Sequence, residues 1–253
     1  MRYLIRFSYD GTLFNGFQRQ SGLRTIQEEM EEALKKINNN QDVKLVAAGR
    51  TDKGVHAFDQ VAHVDIDVNI TPYKLKRAMN SNLSDEIHVN EVFEVSSDYN
   101  VRGNVAKKVY QYRINTNEFN PLRRNYCYQH GYSLDIDKMR NAIKYFVGKH
   151  DFRAFVTENK VKENCVREIY EAMIEYDEVL REIVITFIGS GFLRYQVRNM
   201  VGLLLRVGTL KVEEREVKKI LDSKVRGCEG VTAKSCGLYL VKTILREDLW
   251  LEF

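Results

Sequence analysis

Gly49-Arg50-Thr51-Asp52-Lys53-Gly54-Val55-His56-Ala57 lies between two runs that read as strands. Before it stand Val43, Leu45, Val46, Ala47 and Ala48; after it, apolar and polar residues alternate from Ala62 to Ile70. The nine residues from 49 to 57 therefore read as a loop joining two strands. It bunches charge and flexible backbone: glycines at 49 and 54 permit dihedrals and close approaches that other residues resist, and the Asp52 carboxylate sits between Arg50 and Lys53. Taken alone, an Asp-Lys-Gly stretch is far more often a solvated turn than a site.

Working outward, Arg2 to Asp10 alternates as a strand, with Tyr3, Ile5, Phe7 and Tyr9 on one face and Arg2, Leu4, Arg6 and Ser8 on the other. A glycine-punctuated loop runs from Tyr9 to Gln20, its aromatics read as core plugs. Thr25 to Ile37 reads as an amphipathic helix with a capping box of Thr25 and Glu28 and a core stripe of Ile26, Met30, Leu34 and Ile37. Beyond the loop, Ala62, Val64, Ile66, Val68 and Ile70 are expected to face inward. His63, Asp65 and Asp67 are expected outward, as a solvent face rather than a metal site. Thr71-Pro72 starts a second helix to about Asn80, and a strand near Ile87 to Val95 completes a β-α-β-β-α-β order, the split ferredoxin-like pattern.

In the second half, Lys107 to Ile114 alternates as a strand that puts Tyr110 and Tyr112 on one face, Tyr112 being read as core. A helix from Asp135 to Val147 ends at Gly148, and His150-Asp151-Phe152-Arg153-Ala154-Phe155 follows. Val166 to Tyr176 and Glu178 to Ile188 read as a hairpin turning at Tyr176-Asp177. Phe192 to Gly202 opens a long helix with Val197, Val201, Leu204 and Leu205 facing the core, before a charged helix at Glu213 to Leu221 and a strand at Leu238 to Ile244.

A chain of 253 residues, 44% hydrophobic and 29% charged, has ample material for a core. The balance of 39 Lys and Arg against 35 Asp and Glu is only mildly basic, but its distribution is uneven. Val101 to Arg124 holds six basic residues against the single acid Glu118, and Phe192 to Gly208 holds Arg194, Arg198 and Arg206 with no acid. Interleaved with Tyr110, Tyr112, Phe192 and Tyr195, these stretches have the cation-plus-aromatic character of an RNA-gripping surface. Cys127, Cys165, Cys228 and Cys236 match neither a CxxC nor a zinc spacing. With no long apolar run, they read as reduced thiols of a cytosolic protein without a membrane or metal site.

The loop string resembles GRTDxGVHA, the catalytic motif of the TruA family of tRNA pseudouridine synthases. Four further segments resemble that family in its order: Tyr9-Asp10-Gly11 through Gln20, the His150 to Phe155 stretch, Phe192 to Gly202, and Gly237-Leu238. Lys234 departs from the proline usual in the last of these. The resemblance implies an α+β fold of two ferredoxin-like halves, divided at 1–105 and 106–253, that share a long mixed, mainly antiparallel sheet with a central catalytic cleft. It implies isomerisation of uridine in the anticodon stem-loop of tRNA by a cytoplasmic homodimer, with no cofactor. Asp52 is then the nucleophile, Arg198 its ion-pair partner and Tyr110 the residue stacking on the target base. Arg50, Lys53, His56, Gln18, Arg19, Gln20, Lys107, Lys108 and Arg194 are the expected RNA contacts, with His150 a lesser candidate. Three rivals remain at this level: a glycoside-cleaving enzyme pairing Asp52 with Asp59, a chemically silent RNA-binding protein, and a family paralogue that modifies a different RNA.

Overall fold

The computed structural model describes residues 1–156, 164–225 and 230–246. Its contacts divide the chain into two units, Met1–Ala106 with Leu240–Phe253, and Lys107–Tyr239.

In the first unit, β1 (Arg2–Tyr9), α1 (Ile26–Ile37), β2 (Val46–Ala47), β3 (His56–Asp65), α2 (Pro72–Asn80) and β4 (Ile87–Val95) follow the expected β-α-β-β-α-β order, and α3 (Val101–Asn104) is one further turn. The Thr25 side chain caps α1 by accepting from the Glu28 amide. Strand β1 is central, pairing antiparallel with β3 on one side and β4 on the other, while β2 pairs with β3. The chain's last strand, Leu238–Leu245, lies beyond β3.

Both faces of this sheet are covered, which simple alternation does not reveal. Leu4 and Val61 pack with Tyr99, Val101 and Leu245 in a second apolar cluster, on the face opposite Tyr3, Ile5 and Phe7. His63, expected to face solvent, is accordingly buried, and its Nδ1 accepts from the Val101 amide at 3.3 Å. Asp65 is exposed as expected and receives Arg2 through two bonds of 2.8 and 2.7 Å. Strand β3 begins at His56, so the connecting loop is shorter than expected and His56 and Ala57 belong to the sheet.

Desolvation, followed by the charge of Arg2, lowers the pKa of His63; desolvation and then Lys211 do the same to His130 in the second unit. An unfolded chain takes up these protons first as pH falls below the ordinary 6.5. The stability they contribute is therefore present above that pH and lost on the way down to the folded values. Denaturant midpoints measured downward from about pH 7.5 are expected to fall, and His63→Gln to remove its share, under about 1 kcal/mol.

The second unit contains β5 (Val105–Asn115, which begins in the first), β6 (Tyr128–Gln129), α4 (Ile136–Ile143), β7 (Gly148–Asp151), β8 (Val166–Asp177), β9 (Glu182–Gly189), α5 (Gln196–Gly208) and α6 (Glu214–Ser223). Strand β9 lies between β5 and β8, with β7 outside β8, all antiparallel; β6 runs parallel to β5. The last strand is β10, so β5, α4, β8, β9, α5 and β10 repeat along the chain the order of the first half. The molecule is thus α+β with a large mixed sheet, the class expected. The β8–β9 turn falls at 178–181, later than expected, because the Asp177 side chain accepts from the amides of Val179 and Leu180. Phe152 and Phe155 are fully buried against each other, with Phe146 edge-on to Phe155.

One boundary differs from the sequence reading: β10 from Leu240 onward belongs with the first unit, not with the half that precedes it. The reason lies in side chains far apart in sequence. Asp59 accepts from the Thr243 amide at 3.2 Å while its own carbonyl accepts from the Thr243 hydroxyl at 3.0 Å, and Arg6 donates to the Thr243 carbonyl at 3.2 Å.

Candidate functional site

In the first unit the Asp52 loop is gripped by the glycine-rich segment after β1. The Phe17 amide donates to the Thr51 carbonyl at 3.1 Å, and Val55 closes the loop on itself by donating to the Asp52 carbonyl at 3.2 Å. Gly11 lies so near that a Cβ there would stand 2.0 Å from the Val55 carbonyl oxygen. Gly16, at φ +95°, leaves room for the main chain of Thr51 to Lys53, since a Cβ would come within 3.1 Å of the Thr51 oxygen. Two motifs separate in sequence thus form one backbone unit, with Asp52 half-buried at its centre.

Polar side chains complete the grip from below. The Tyr9 hydroxyl lies 2.8 Å from Thr51 Oγ1, and the fully buried Gln60 donates through Nε2 to the Gly49 carbonyl at 3.2 Å and toward the Tyr9 oxygen at 3.5 Å. Burial pushes the Tyr9 phenol up to about 12, so it stays protonated through the physiological range. Of these residues, Gln60 escaped the motif reading. A signal was present: Gln60 falls in phase with Ala62 and Val64, a polar residue on a face otherwise apolar.

The expected RNA contacts of this unit separate by exposure. Arg50 and Lys53 are exposed on the loop itself, and Gln18 is half-buried. His56 is only 3% exposed; its Nδ1 lies 3.2 Å from the Gly11 amide and 3.1 Å from Asp10 Oδ1, inside the clasp between the two motifs. That placement suits holding the loop rather than meeting a ligand. Arg19 is turned to the carboxylates of Glu31 and Glu32 on α1, at 3.1 and 3.3 Å, and Gln20 donates to the Asn15 carbonyl at 3.0 Å. Asp59, the second carboxylate of the glycoside-cleaving alternative, is an anchor: Arg6 meets it at 2.8 Å and Thr243 from β10 donates to it.

In the second unit, Tyr195 sits at φ +64° immediately before α5 and carries a guanidinium near its ring from each of two residues, Arg194 at 5.0 Å and Arg198 at 5.1 Å. Arg198 Nε donates to the Ala233 carbonyl at 2.8 Å, and the Ala233 amide donates back to the Arg198 carbonyl at 3.1 Å. This crossing is close because α5 offers Gly202, where a Cβ would lie 1.9 Å from the Val231 carbonyl oxygen. Asn199 fastens the same segment, accepting from the Thr232 hydroxyl at 2.7 Å and donating to the Phe155 carbonyl at 2.7 Å. Tyr110 is 7% exposed, with Phe192 edge-on to its ring at 5.1 Å. Tyr112 is core, as read, and donates to the Lys234 carbonyl at 2.8 Å. Lys107 reaches over the Tyr170 ring at 5.8 Å, whereas Lys108 is buried. His150 is tied to the Val147 carbonyl at 2.9 Å.

Among the described residues no three His, Cys, Asp or Glu side chains come together as metal ligands, and no helix is long and apolar enough to cross a membrane. Cys127 and Cys236 are free thiols, and burial pushes both above the ordinary thiol range; Cys165 is buried. Cys228 lies outside the described residues.

Comparison with known proteins adds independent findings. The family model described as tRNA pseudouridine synthase matches residues 6–102 and 142–244 of this chain. The protein named tRNA pseudouridine synthase A of Streptococcus agalactiae serotype Ia is 42% identical over 248 residues, covering 98% of this chain and 96% of its own. Its namesake from Streptococcus equi subsp. equi is 42% identical over 247 residues, 97% of this chain and 99% of that one. That from Streptococcus mutans serotype c is 41% identical over 249 residues, 98% and 100% of the two chains.

Proposed function

Because the chain belongs to the tRNA pseudouridine synthase family, and is therefore an isomerase acting on RNA, we propose that it converts uridine to pseudouridine in the anticodon stem-loop of tRNA, with Asp52 as the nucleophile. The observation that supports the residue assignment is the clasp: two separate motifs fix the main chain on both sides of one half-buried carboxylate flanked by exposed cations.

The chemistry suits an aspartate. The C1′–N1 bond breaks, a C1′–C5 bond forms, N1 gains a proton and C5 loses one, so no atom or electron is gained overall. An ionised carboxylate attacks C1′ or C6 without a base to activate it, its ordinary pKa being about 3.9. Arg198 counters its charge, and a pairing of this kind in a dry site strengthens as water leaves. Tyr110, braced by Phe192, stacks on the turned-out uracil, a contact of roughly 1–3 kcal/mol. Arg50 fills the space that the flipped nucleotide leaves, and Lys53, Gln18, Lys107 and Arg194 hold the phosphate backbone. The reading includes a cytoplasmic homodimer that needs no cofactor.

The test is to map pseudouridine, by carbodiimide modification and primer extension, in bulk tRNA and rRNA treated with the protein. New stops on the 3′ side of the anticodon arm are the expected result. Stops elsewhere reassign the RNA, and none in any RNA defeats the reading.

A further inference from the structure

We infer that Tyr9 and Gln60 are positioning residues for this reaction: through Thr51 and Gly49 they fix the main chain that delivers Asp52. The inference rests on the assignment of Asp52 as nucleophile. Neither residue is placed against RNA; both act through the loop.

Burial shows what these side chains are for. Tyr9 is 4% exposed, Thr51 8% and Gln60 0%. Polar groups so deep carry a desolvation cost that an apolar residue at the same place avoids. At 60, in phase with Ala62 and Val64, an aliphatic side chain meets every demand of the sheet, and at 9 a phenylalanine fills the same volume beside Phe7 and Phe17. The polar atoms instead point at the loop. Gln60 Oε1 accepts from the Val61 amide at 3.1 Å, which sets the amide so that Nε2 faces Gly49 and Tyr9. Since Nε2 only donates, the Tyr9 oxygen accepts from it, and the Tyr9 and Thr51 hydroxyls share a hydrogen bond at 2.8 Å.

The gripped residues are 49 and 51, and Asp52 comes next. Thr51 is held from two directions, by Tyr9 through its side chain and by the Phe17 amide through its carbonyl. With the peptide plane between 51 and 52 rigid, the Asp52 Cα inherits that position. Catalysis by a fixed nucleophile is sensitive to shifts well below an ångström. A network that holds the preceding residue therefore acts on the chemical step and not on RNA affinity.

The test compares Tyr9→Phe, Gln60→Leu, Thr51→Val, Thr51→Ser and the double variant Tyr9→Phe/Thr51→Val in the full chain. Single-turnover rate, tRNA Kd and thermal midpoint are measured for each. Tyr9→Phe, Gln60→Leu and Thr51→Val are each expected to slow the chemical step about tenfold with Kd unchanged. The double variant should be no slower than the worse single, because the bond is already gone, and Thr51→Ser, which keeps the hydroxyl, should run near the wild-type rate. Wild-type rates in Tyr9→Phe and Gln60→Leu, multiplicative losses in the double variant, or a weaker Kd with an unchanged rate each overturn the proposal. If Tyr9→Phe does not fold, the Thr51→Val and Thr51→Ser pair decides: equal rates overturn it. Asp52→Asn runs alongside. Should that variant stay active, the nucleophile assignment fails, an outcome distinct from the failure of Tyr9 and Gln60 to matter.

Discussion

Asp52→Asn is expected to bind tRNA as tightly as the wild type and to form pseudouridine at least about 10³-fold more slowly. Asparagine keeps the shape of the side chain but has no anionic oxygen to attack carbon, so the first covalent step has no nucleophile. The loop should survive the exchange. The Phe17–Thr51 and Val55–Asp52 main-chain bonds, the Tyr9–Thr51 contact and the Gln60–Gly49 bond hold it. Release of tritium from tRNA labelled at uracil C5 reports the lost proton directly, and a filter-binding curve on the same RNA reports affinity. A rate within about tenfold of wild type would make Asp52 a bystander. Loss of binding together with rate would point to a collapsed loop instead, which the thermal midpoint of the variant distinguishes.

Gly11→Ala should do comparable damage by another route. Its Cβ would lie 2.0 Å from the Val55 carbonyl oxygen and 2.6 Å from the Val55 carbonyl carbon, both backbone atoms that no rotamer change can move. Either the end of β1 or the loop has to shift. We expect a loss of about 3 kcal/mol in stability, at the upper end for overpacking. The protein that remains folded should be slowed about 10²-fold by the displaced nucleophile. Gly103→Ala is the control: nothing stands within 4 Å of a Cβ there and the site is helical, so its midpoint should equal or exceed that of the wild type. Equal stability for the two variants would show that the β1–loop junction is more compliant than its packing indicates.

The elements that periodicity describes were legible from the residues. Helix α1, with its Thr25 cap, and the strands β1 and β4 lie where composition and spacing put them, because each is settled by local pattern. What the sequence hid came from the opposite face. His63 is buried because Val101 and Tyr99 return over β3, and Asp59 is an anchor because Thr243 arrives nearly two hundred residues later; neither event leaves a trace near 59 or 63. At the site, the motif string singled out the loop and proposed its carboxylate, but it could not show that His56 is buried, nor could the strand pattern show it for Lys108. A string of residue types records which groups are present, not which way they point. Gln60 shows the reverse: it lay outside the motif and was marked only by its polarity in an apolar phase.

Strand β10 carries a consequence for how the protein comes into being. Residues 240 to 245 complete the first unit, yet they follow the whole of the second in the order of synthesis. As the nascent chain leaves the ribosome, β1 and β3 emerge early but lack the strand that closes their edge, and Arg6 and Asp59 wait without Thr243. Vectorial folding of the first unit alone is thus left incomplete, and the second unit has the chance to fold first even though it is made later. A ribosome stalled before residue 240 displays the Asp52 loop on an unfinished scaffold.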